Sequence, residues 1–218
     1  MKIFNEKKAQ QFWSKKNITN IEEDPTRHGD KERLEFDVNH ILKVVGKKNV
    51  NSLLDLGAGT GQLTKAIEKN IPIKKRILVE KNPSFIRQIL LDGKVDLVNE
   101  DILEFCKRNN NKYDIILLFG VINSINKENT YKIYEYLLNM MKKDSILIIK
   151  HQCGIEEEVI IDNFSKELTT LYTARYPYHK DEHQFLEDIF NVEIHDIYPK
   201  KLNKFVNTHF FSYVCKKK

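Results

Sequence analysis

One stretch of this chain constrains its fold more than any other: Ser52-Leu-Leu-Asp-Leu-Gly-Ala-Gly-Thr-Gly-Gln-Leu63. The pattern predicts a short buried strand that ends near Asp55, a turn with three glycines, and the start of a helix. The glycines allow backbone torsions and close approaches that a Cβ would obstruct. The helix start presents unpaired N–H groups and a partial positive charge. A turn of this kind, at the carboxyl end of a parallel strand, predicts a site for a nucleotide-like cofactor.

The glycine spacing narrows the choice of cofactor. The dinucleotide fingerprint is G-x-G-x-x-G, whereas this chain has G-x-G-x-G with Asp55 two residues before the first glycine. A carboxylate at that position repels an anion and attracts an ammonium group, which argues against a nicotinamide oxidoreductase. The pattern resembles the first motif of class I S-adenosylmethionine-dependent methyltransferases, D/E-x-G-x-G-x-G. The resemblance extends over about Leu53 to Lys150.

Acidic residues follow the next two apolar runs. Glu80 ends the run that starts at Arg76, about 20 residues after the glycine turn, where a carboxylate is placed to accept ribose hydroxyls. Asp101 and Ile102 follow the run that starts at Val95, and the resemblance implies that they hold the adenine. It also implies S-adenosylmethionine as the cofactor, bound by Asp55, Gly57, Ala58, Gly59, Gly61, Glu80, Lys81, Asp101, Ile102, Phe119 and Gly120.

Strands and helices alternate along the chain, which indicates right-handed crossovers and a parallel sheet buried on both faces. Helices are predicted at Glu6–Ile18, Lys31–Val45, Gln62–Lys69, Pro83–Leu91, Ile102–Arg108, Lys127–Lys142, Glu156–Ala174 and Asp181–Asp188. Strands are predicted at Ser52–Leu56, Arg76–Glu80, Val95–Asn99, Tyr113–Phe119, Ser145–Lys150, Val192–Tyr198 and His209–Val214. The last two lie close enough in sequence to form an antiparallel edge. The expected fold is α/β: a three-layer sandwich with a seven-stranded, mostly parallel sheet whose last strand is antiparallel, plus an N-terminal helical cover.

Length and charge limit the number of domains and the kinds of partner that we expect for this chain. We expect the 218 residues to form a single domain, with an N-terminal helical cover (1–48), a cofactor-binding core (49–150) and an acceptor-side segment with the C-terminal strands (151–218). The net charge of +5 is spread along the chain among acids, which argues against a nucleic-acid partner. The sequence has no apolar signal core and no run of membrane-spanning length, so we expect a cytoplasmic protein without membrane contact, as a monomer or homodimer.

Three polar clusters are predicted on the acceptor side, around Arg27 and His28, around His151, and at Tyr172–His179. The histidines suit a general base near neutral pH, so we predict catalytic roles for His28, His151 and His179. An arginine side chain can donate two parallel hydrogen bonds to a carboxylate or phosphate group. The predicted substrate-binding residues are Arg27, Asn123, Arg175, Tyr176 and Tyr178. We therefore expect a small, polar, anionic acceptor, phosphorylated or sugar-like, and no metal.

Alternatives stay open at this point. The cluster around Arg27 and His28 could instead be a surface loop, and His151 could be a histidine that only hydrogen-bonds the backbone. The segment Tyr172–His179 could be a packed loop. An RNA or protein methyltransferase is favoured by the positive charge, although the chain lacks the N/D-P-P-Y/F motif. A cofactor-binding subunit without catalysis, working beside a catalytic chain, is the remaining alternative.

Overall fold

The structure, a computed structural model, describes residues 3–20, 30–46, 49–165 and 170–218. Its helices are α1 (Glu6–Ser14), α2 (Lys31–Val45), α3 (Gln62–Glu68), α4 (Pro83–Ile86), α5 (Ile102–Arg108), α6 (Lys127–Asn139) and α7 (His179–Ile189). Its strands are β1 (Val50–Leu56), β2 (Ile73–Val79), β3 (Val95–Val98), β4 (Tyr113–Phe119), β5 (Met141–Gly154), β6 (Val159–Ser165), β7 (Thr170–Tyr176), β8 (Phe190–Asp196) and β9 (Thr208–Lys217). A short 3-10 helix, Ile122–Ser124, follows β4.

Seven strands form one sheet in the order β3-β2-β1-β4-β5-β9-β8. The pairs from β3 to β5 are parallel, while β9 runs antiparallel to both of its neighbours. The strand order reverses between β1 and β4, and in such sheets a crevice opens there at the carboxyl ends of the strands. The predicted fold class is confirmed, including the antiparallel last strand.

Helices cover both faces of this sheet because the central strands are apolar on both sides. On one face α2 and α3 pack against alternate residues of β1, β4 and β5, such as Leu53, Leu117 and Ile148. On the other face α5, α6 and α7 pack against the residues in between, such as Leu54 and Leu118. Successive strand residues point to opposite faces, so the sheet lies between two helical layers.

One predicted helix is wrong. Glu156–Ala174 was expected to be helical, but the described part of this segment forms the antiparallel hairpin of β6 and β7, a separate two-stranded sheet. The segment is rich in β-branched and aromatic residues, among them Val159, Ile161 and Thr173. These side chains lose rotamer freedom in a helix and pack well on a pleated surface.

Several other boundaries differ from the prediction, among them the ends of α1, at Ser14 rather than Ile18, and of α6, at Asn139 rather than Lys142. Helix α4 ends at Ile86 rather than Leu91, and β5 continues past Lys150 to Gly154 because β9 pairs with it up to that residue. None of the helices in the described ranges combines the length and the apolar character that crossing a membrane requires.

Candidate functional site

A cavity of about 880 Å³ opens at the carboxyl ends of β1, β2, β4 and β5. One half is lined by the glycine turn and the ends of β2 and β3. The other half is lined by the ends of β4 and β5, the hairpin of β6 and β7, and the segment before β9. The volume falls within the range of small-molecule and cofactor sites in proteins. Of the predicted cofactor residues, nine line the cavity: Gly57, Ala58, Gly59, Glu80, Lys81, Asp101, Ile102, Phe119 and Gly120.

The glycine turn is held against β2 by backbone hydrogen bonds. The N–H groups of Gly57 and Ala58 donate to the Val79 carbonyl at 2.8 and 3.1 Å. Gly57 has φ +73°, and a Cβ there would lie 2.3 Å from Val121 Cγ2. A side chain is excluded both by the left-handed backbone and by Val121. The turn therefore brings bare backbone to the cavity wall.

Glu80 joins this turn to the end of β2. Its carboxylate accepts hydrogen bonds from Gly59 N at 3.0 Å and from Asn82 N at 2.7 Å, one on each oxygen. Burial raises the pKa of Glu80, an effect that these two hydrogen bonds oppose. Each carboxylate oxygen can accept more than one hydrogen bond, so Glu80 retains capacity for a ligand hydroxyl in the cavity.

Lys81, after β2, and Asp101, after β3, also line the half of the cavity that contains the glycine turn. Asp101 caps α5 by accepting from Leu103 N at 2.9 Å, and its second oxygen lies 2.9 Å from Lys81 Nζ. Ile102, the next residue, presents an apolar side chain to the cavity. An apolar surface beside a carboxylate suits the flat face and the amino group of a base.

Two predicted cofactor residues lie behind the wall rather than on it. Asp55 is buried beneath the turn and accepts a 2.7 Å hydrogen bond from Thr64 Oγ1 on α3. Gly61 precedes α3 with φ +76°, and its α-carbon faces Ile89. In this structure both stabilise the strand–turn–helix unit.

The first helix, part of the predicted N-terminal cover, forms a wall of the cavity whose lining residues carry no sequence motif. Gln10, Trp13 and Ser14 of α1 line the cavity. The Asn82 amide donates to the carbonyls of Trp13 at 2.8 Å and Lys16 at 2.7 Å, which holds the end of α1 beside Glu80. Single hydrogen bonds of this kind leave no trace in sequence periodicity.

The hairpin of β6 and β7 forms the wall of the second half. Its residues Val159, Ile161, Asn163, Tyr172 and Tyr176 line the cavity. Asn123, which also lines it, donates from its amide to the carbonyls of Gln152 at 2.8 Å and Arg175 at 2.9 Å. Its amide thus joins β5 to the hairpin.

Lys150 lies on the floor of the second half, at the end of β5. Its buried Nζ is 2.5 Å from Asp37 Oδ2 on α2 and 2.8 Å from the Tyr198 hydroxyl. The ammonium also lies 5.1 Å from the ring centre of Phe119 and 5.6 Å from that of Phe210, close enough for cation–π attraction. None of these contacts was predicted, because they join distant parts of the chain.

Arg33, one turn before Asp37 on α2, also lines the second half and is only 4% exposed. Its guanidinium lies 3.0 Å from Asp30 Oδ2, while its buried Nε has no hydrogen-bond partner among the residues that the structure describes. The charged residues that line this half, among those described, are Arg33, Lys150, Lys204 and Asp30. Asp30 pairs with Arg33 and Asp37 pairs with Lys150, so the three cations of this half exceed the two anions by one charge.

The predicted acceptor residues are not all brought together. Arg27 and His28 lie outside the described residues, and Tyr176 and Asn123 line the cavity. Arg175 is buried behind the wall, where it contacts Glu158, the Ile125 carbonyl and Thr130. Tyr178 and His179 lie at the start of α7 and are absent from the lining, and the His179 ring stacks on Phe211.

His151 lies on the face of β5 opposite the cavity. Side chains alternate along a strand, so Lys150 and Gln152 line the cavity while His151 packs under Tyr213. It is fully buried, with Nε2 3.5 Å from Glu182 Oε1, and burial lowers its pKa to about 3. This placement gives His151 no access to an acceptor.

Residues 47–181 match the model of the spermine/spermidine synthase domain. A search of curated protein sequences finds no match.

Solved structures share the fold at low identity. A Leishmania major S-adenosylmethionine-dependent methyltransferase superposes with a TM-score of 0.70 at 14% identity, covering 97% of this chain and 82% of its own. A Listeria monocytogenes protein described as a putative methyltransferase of the same kind gives 0.68 at 11% identity, covering 87% of this chain and all (100%) of its own. The plantazolicin methyltransferase BpumL, solved with S-adenosylhomocysteine (SAH), gives 0.60 at 16% identity over 97% and 90%. At these identities the likeness shows the fold alone, a Rossmann-like α/β sandwich that this chain shares with these proteins.

Proposed function

The chain belongs to the spermine/spermidine synthase domain family; from the glycine turn and the lining of its cavity we propose that it is an S-adenosylmethionine-dependent methyltransferase acting on a small molecule. The observation that carries the proposal is a single cavity whose first half has the glycine turn and Glu80, and whose second half has Arg33 and Lys150. A cofactor and an acceptor in one cavity can meet directly.

The first half fits a sulfonium nucleoside. Gly57 and Gly59 bring backbone to the cavity without side chains, Glu80 offers carboxylate oxygens, and Asp101 and Ile102 offer a polar and an apolar contact. BpumL, which shares the fold, was solved with the demethylated product of this cofactor. When bound, S-adenosylmethionine supplies an electrophilic methyl group on a sulfonium.

The protein's part in methyl transfer is alignment and charge placement. Asn123 stiffens the boundary between the two halves by holding β5 to the hairpin. A hydroxyl acceptor also needs a proton acceptor. For this role we propose His28, two positions before Asp30, which lines the cavity; the buried His151 has no role in the proposed reaction.

For the acceptor we propose a small anionic metabolite, phosphorylated or sugar-like. Arg33, Lys150 and Lys204 supply the positive charge that such a group requires. The side-chain amides of Gln152 and Asn163 add polar groups on the same half. We propose that the reaction takes place in the cytoplasm, by a monomer or homodimer without nucleic acid.

The proposal is tested with methyl-labelled S-adenosylmethionine and pools of sugar phosphates, each paired with its dephosphorylated form. We expect label in a product, with faster turnover for the phosphorylated member. Equal turnover of the two members would contradict the anionic acceptor. Binding of SAH without any labelled product would favour a non-catalytic partner subunit, and label confined to RNA or protein would favour those alternatives.

An amine acceptor is the second candidate, favoured by the match to a polyamine-synthase domain and by the aromatic side chains of Trp13, Tyr172 and Tyr176 along the cavity. Aromatic faces attract cations. Putrescine and spermidine, added to the same assay, test it directly. Their turnover, together with inactivity of sugar phosphates, would replace the anionic acceptor by an amine.

A further inference from the structure

Apolar side chains are exposed at the mouth of the cavity. Phe164 near the end of β6 is 60% exposed, and Phe205 in the segment before β9 is 52% exposed, yet both line the cavity. Leu171, the cross-strand partner of Phe164, and Val206, the neighbour of Phe205, are also exposed. Single exposed apolar residues are ordinary on a protein surface. Phe164 and Phe205 differ because both also line one cavity, and we call these two side chains the patch.

The patch continues the lining of the second half. From the floor outward, the lining changes from the buried cations Arg33 and Lys150, through the aromatic side chains of Tyr172 and Tyr176, to Phe164 and Phe205 at the mouth. Arg33 and Lys150 thus lie at the closed end, and the exposed rings of Phe164 and Phe205 lie at the open end, where Lys204 neighbours Phe205. A molecule that matches this order has a charged end and an apolar end.

We propose that the acceptor is amphipathic: its anionic group lies at the floor beside Arg33 and Lys150, and its apolar portion leaves between Phe164 and Phe205. This inference rests on the proposed function and adds the chemical class of the acceptor's outer part. We identify the molecule that contacts Phe164 and Phe205 as the acceptor because these exposed residues line the same cavity as the cations.

Trp13 provides a probe of the cavity because it is the single tryptophan of the chain and lines it. The experiment titrates n-alkyl carboxylates from butanoate to nonanoate into the full-length protein and follows Trp13 fluorescence, with and without saturating SAH. We expect affinity to rise about three- to fourfold for each added methylene, the gain expected when a methylene leaves water.

Two variants test whether the rise in affinity per methylene arises at Phe164 and Phe205. In Phe164→Ser/Phe205→Ser the rise should fall below about twofold per methylene, because half-exposed aromatic surface at the mouth is lost. Leu90→Ser removes an apolar side chain that is 74% exposed but lies away from the cavity, and should keep the wild-type rise. Calorimetry with SAH should give the same affinity for all three proteins.

Affinity independent of chain length, or the same rise in the double variant as in wild type, would overturn the proposal. Co-sedimentation with phosphatidylglycerol vesicles, without a chain-length response of Trp13, would overturn it by assigning the patch to a lipid surface. A chain-length response in a protein that takes up no SAH would support the amphipathic site and contradict the proposed methyl transfer, so the two failures are distinguishable.

Discussion

Lys150 Nζ lies 2.5 Å from Asp37 Oδ2, across 113 positions of sequence, and both side chains are almost completely buried. The pair fastens α2 to the end of β5 at the floor of the cavity. The Tyr198 hydroxyl contacts both members, at 2.8 Å from Nζ and 3.0 Å from Asp37 Oδ1. The floor is therefore a connected polar network within an aromatic surround.

Lys150→Met should lower the free energy of unfolding by about 3–5 kcal/mol, because Asp37 is left as a buried carboxylate without its cation. Urea denaturation measures the change. The double variant Asp37→Leu/Lys150→Met should recover much of the loss, since neither charge is then buried. Lys132→Met breaks an exposed pair with Glu128 and should change stability by less than about 1 kcal/mol. Equal effects of Lys150→Met and Lys132→Met would contradict the buried network.

Glu80→Gln should weaken SAH binding at least tenfold. A hydrogen bond to a charged group contributes about 1.5–3 kcal/mol, and the amide keeps the shape of the side chain. The measurement is the rise in melting temperature at fixed SAH concentration, which should shrink in the variant. Glu100→Gln alters a carboxylate that pairs with Arg108 away from the cavity, and should keep the wild-type rise.

Gly57→Ala should abolish nucleoside binding and destabilise the fold, because the new Cβ meets both left-handed backbone strain and Val121. Gly46→Ala is the matched control: its φ is +63°, yet no atom of the described residues lies within 4 Å of a Cβ there. That control should lose only the stability that the backbone strain costs, about 1–3 kcal/mol, and bind SAH normally. Equal losses of stability in the two variants would contradict a destabilising contact with Val121.

Acid should destabilise the protein through His151. Burial first, and then the charges of Arg175 and Lys150, lower its folded pKa to about 3 from the ordinary value of 6.5. Below pH 6.5 the unfolded chain takes up a proton that the folded protein does not, so stability is present above pH 6.5 and is lost as the pH falls toward 3. This one group should remove about 2 kcal/mol between pH 7.5 and pH 5.

His151→Phe replaces the ring by an apolar one and should reduce the pH dependence by that amount. Burial also lowers the pKa of His40, to about 4, so His40 adds its own loss of stability in acid. That loss is the same in the wild type and in the variant. Denaturant unfolding at the two pH values measures the difference. A variant that loses as much stability as the wild type over this range would contradict a neutral, buried His151.

The cofactor half could be predicted from sequence because its determinants are local. A glycine turn after an apolar run fixes where the backbone approaches a ligand, and strand-end acids such as Glu80 follow from the same alternation. Helices α2 and α5 begin and end at the predicted residues, and both have an aspartate cap, Asp30 and Asp101.

The acceptor half could not be predicted in the same way because its contacts are distant in sequence. Lys150 and Asp37 carry no motif, and the hairpin of β6 and β7 was expected to be a helix. One signal was present: had β5 been extended to Gly154, strand alternation would have placed Gln152 with Lys150 on the cavity side and His151 on the other.

The most direct test of a sulfonium-nucleoside site is isothermal titration of the purified protein with SAH. We predict saturable binding at one site per chain, weakened at least tenfold in Glu80→Gln. Absence of binding at millimolar SAH, or uptake of a nicotinamide or flavin by the same cavity, would contradict the account.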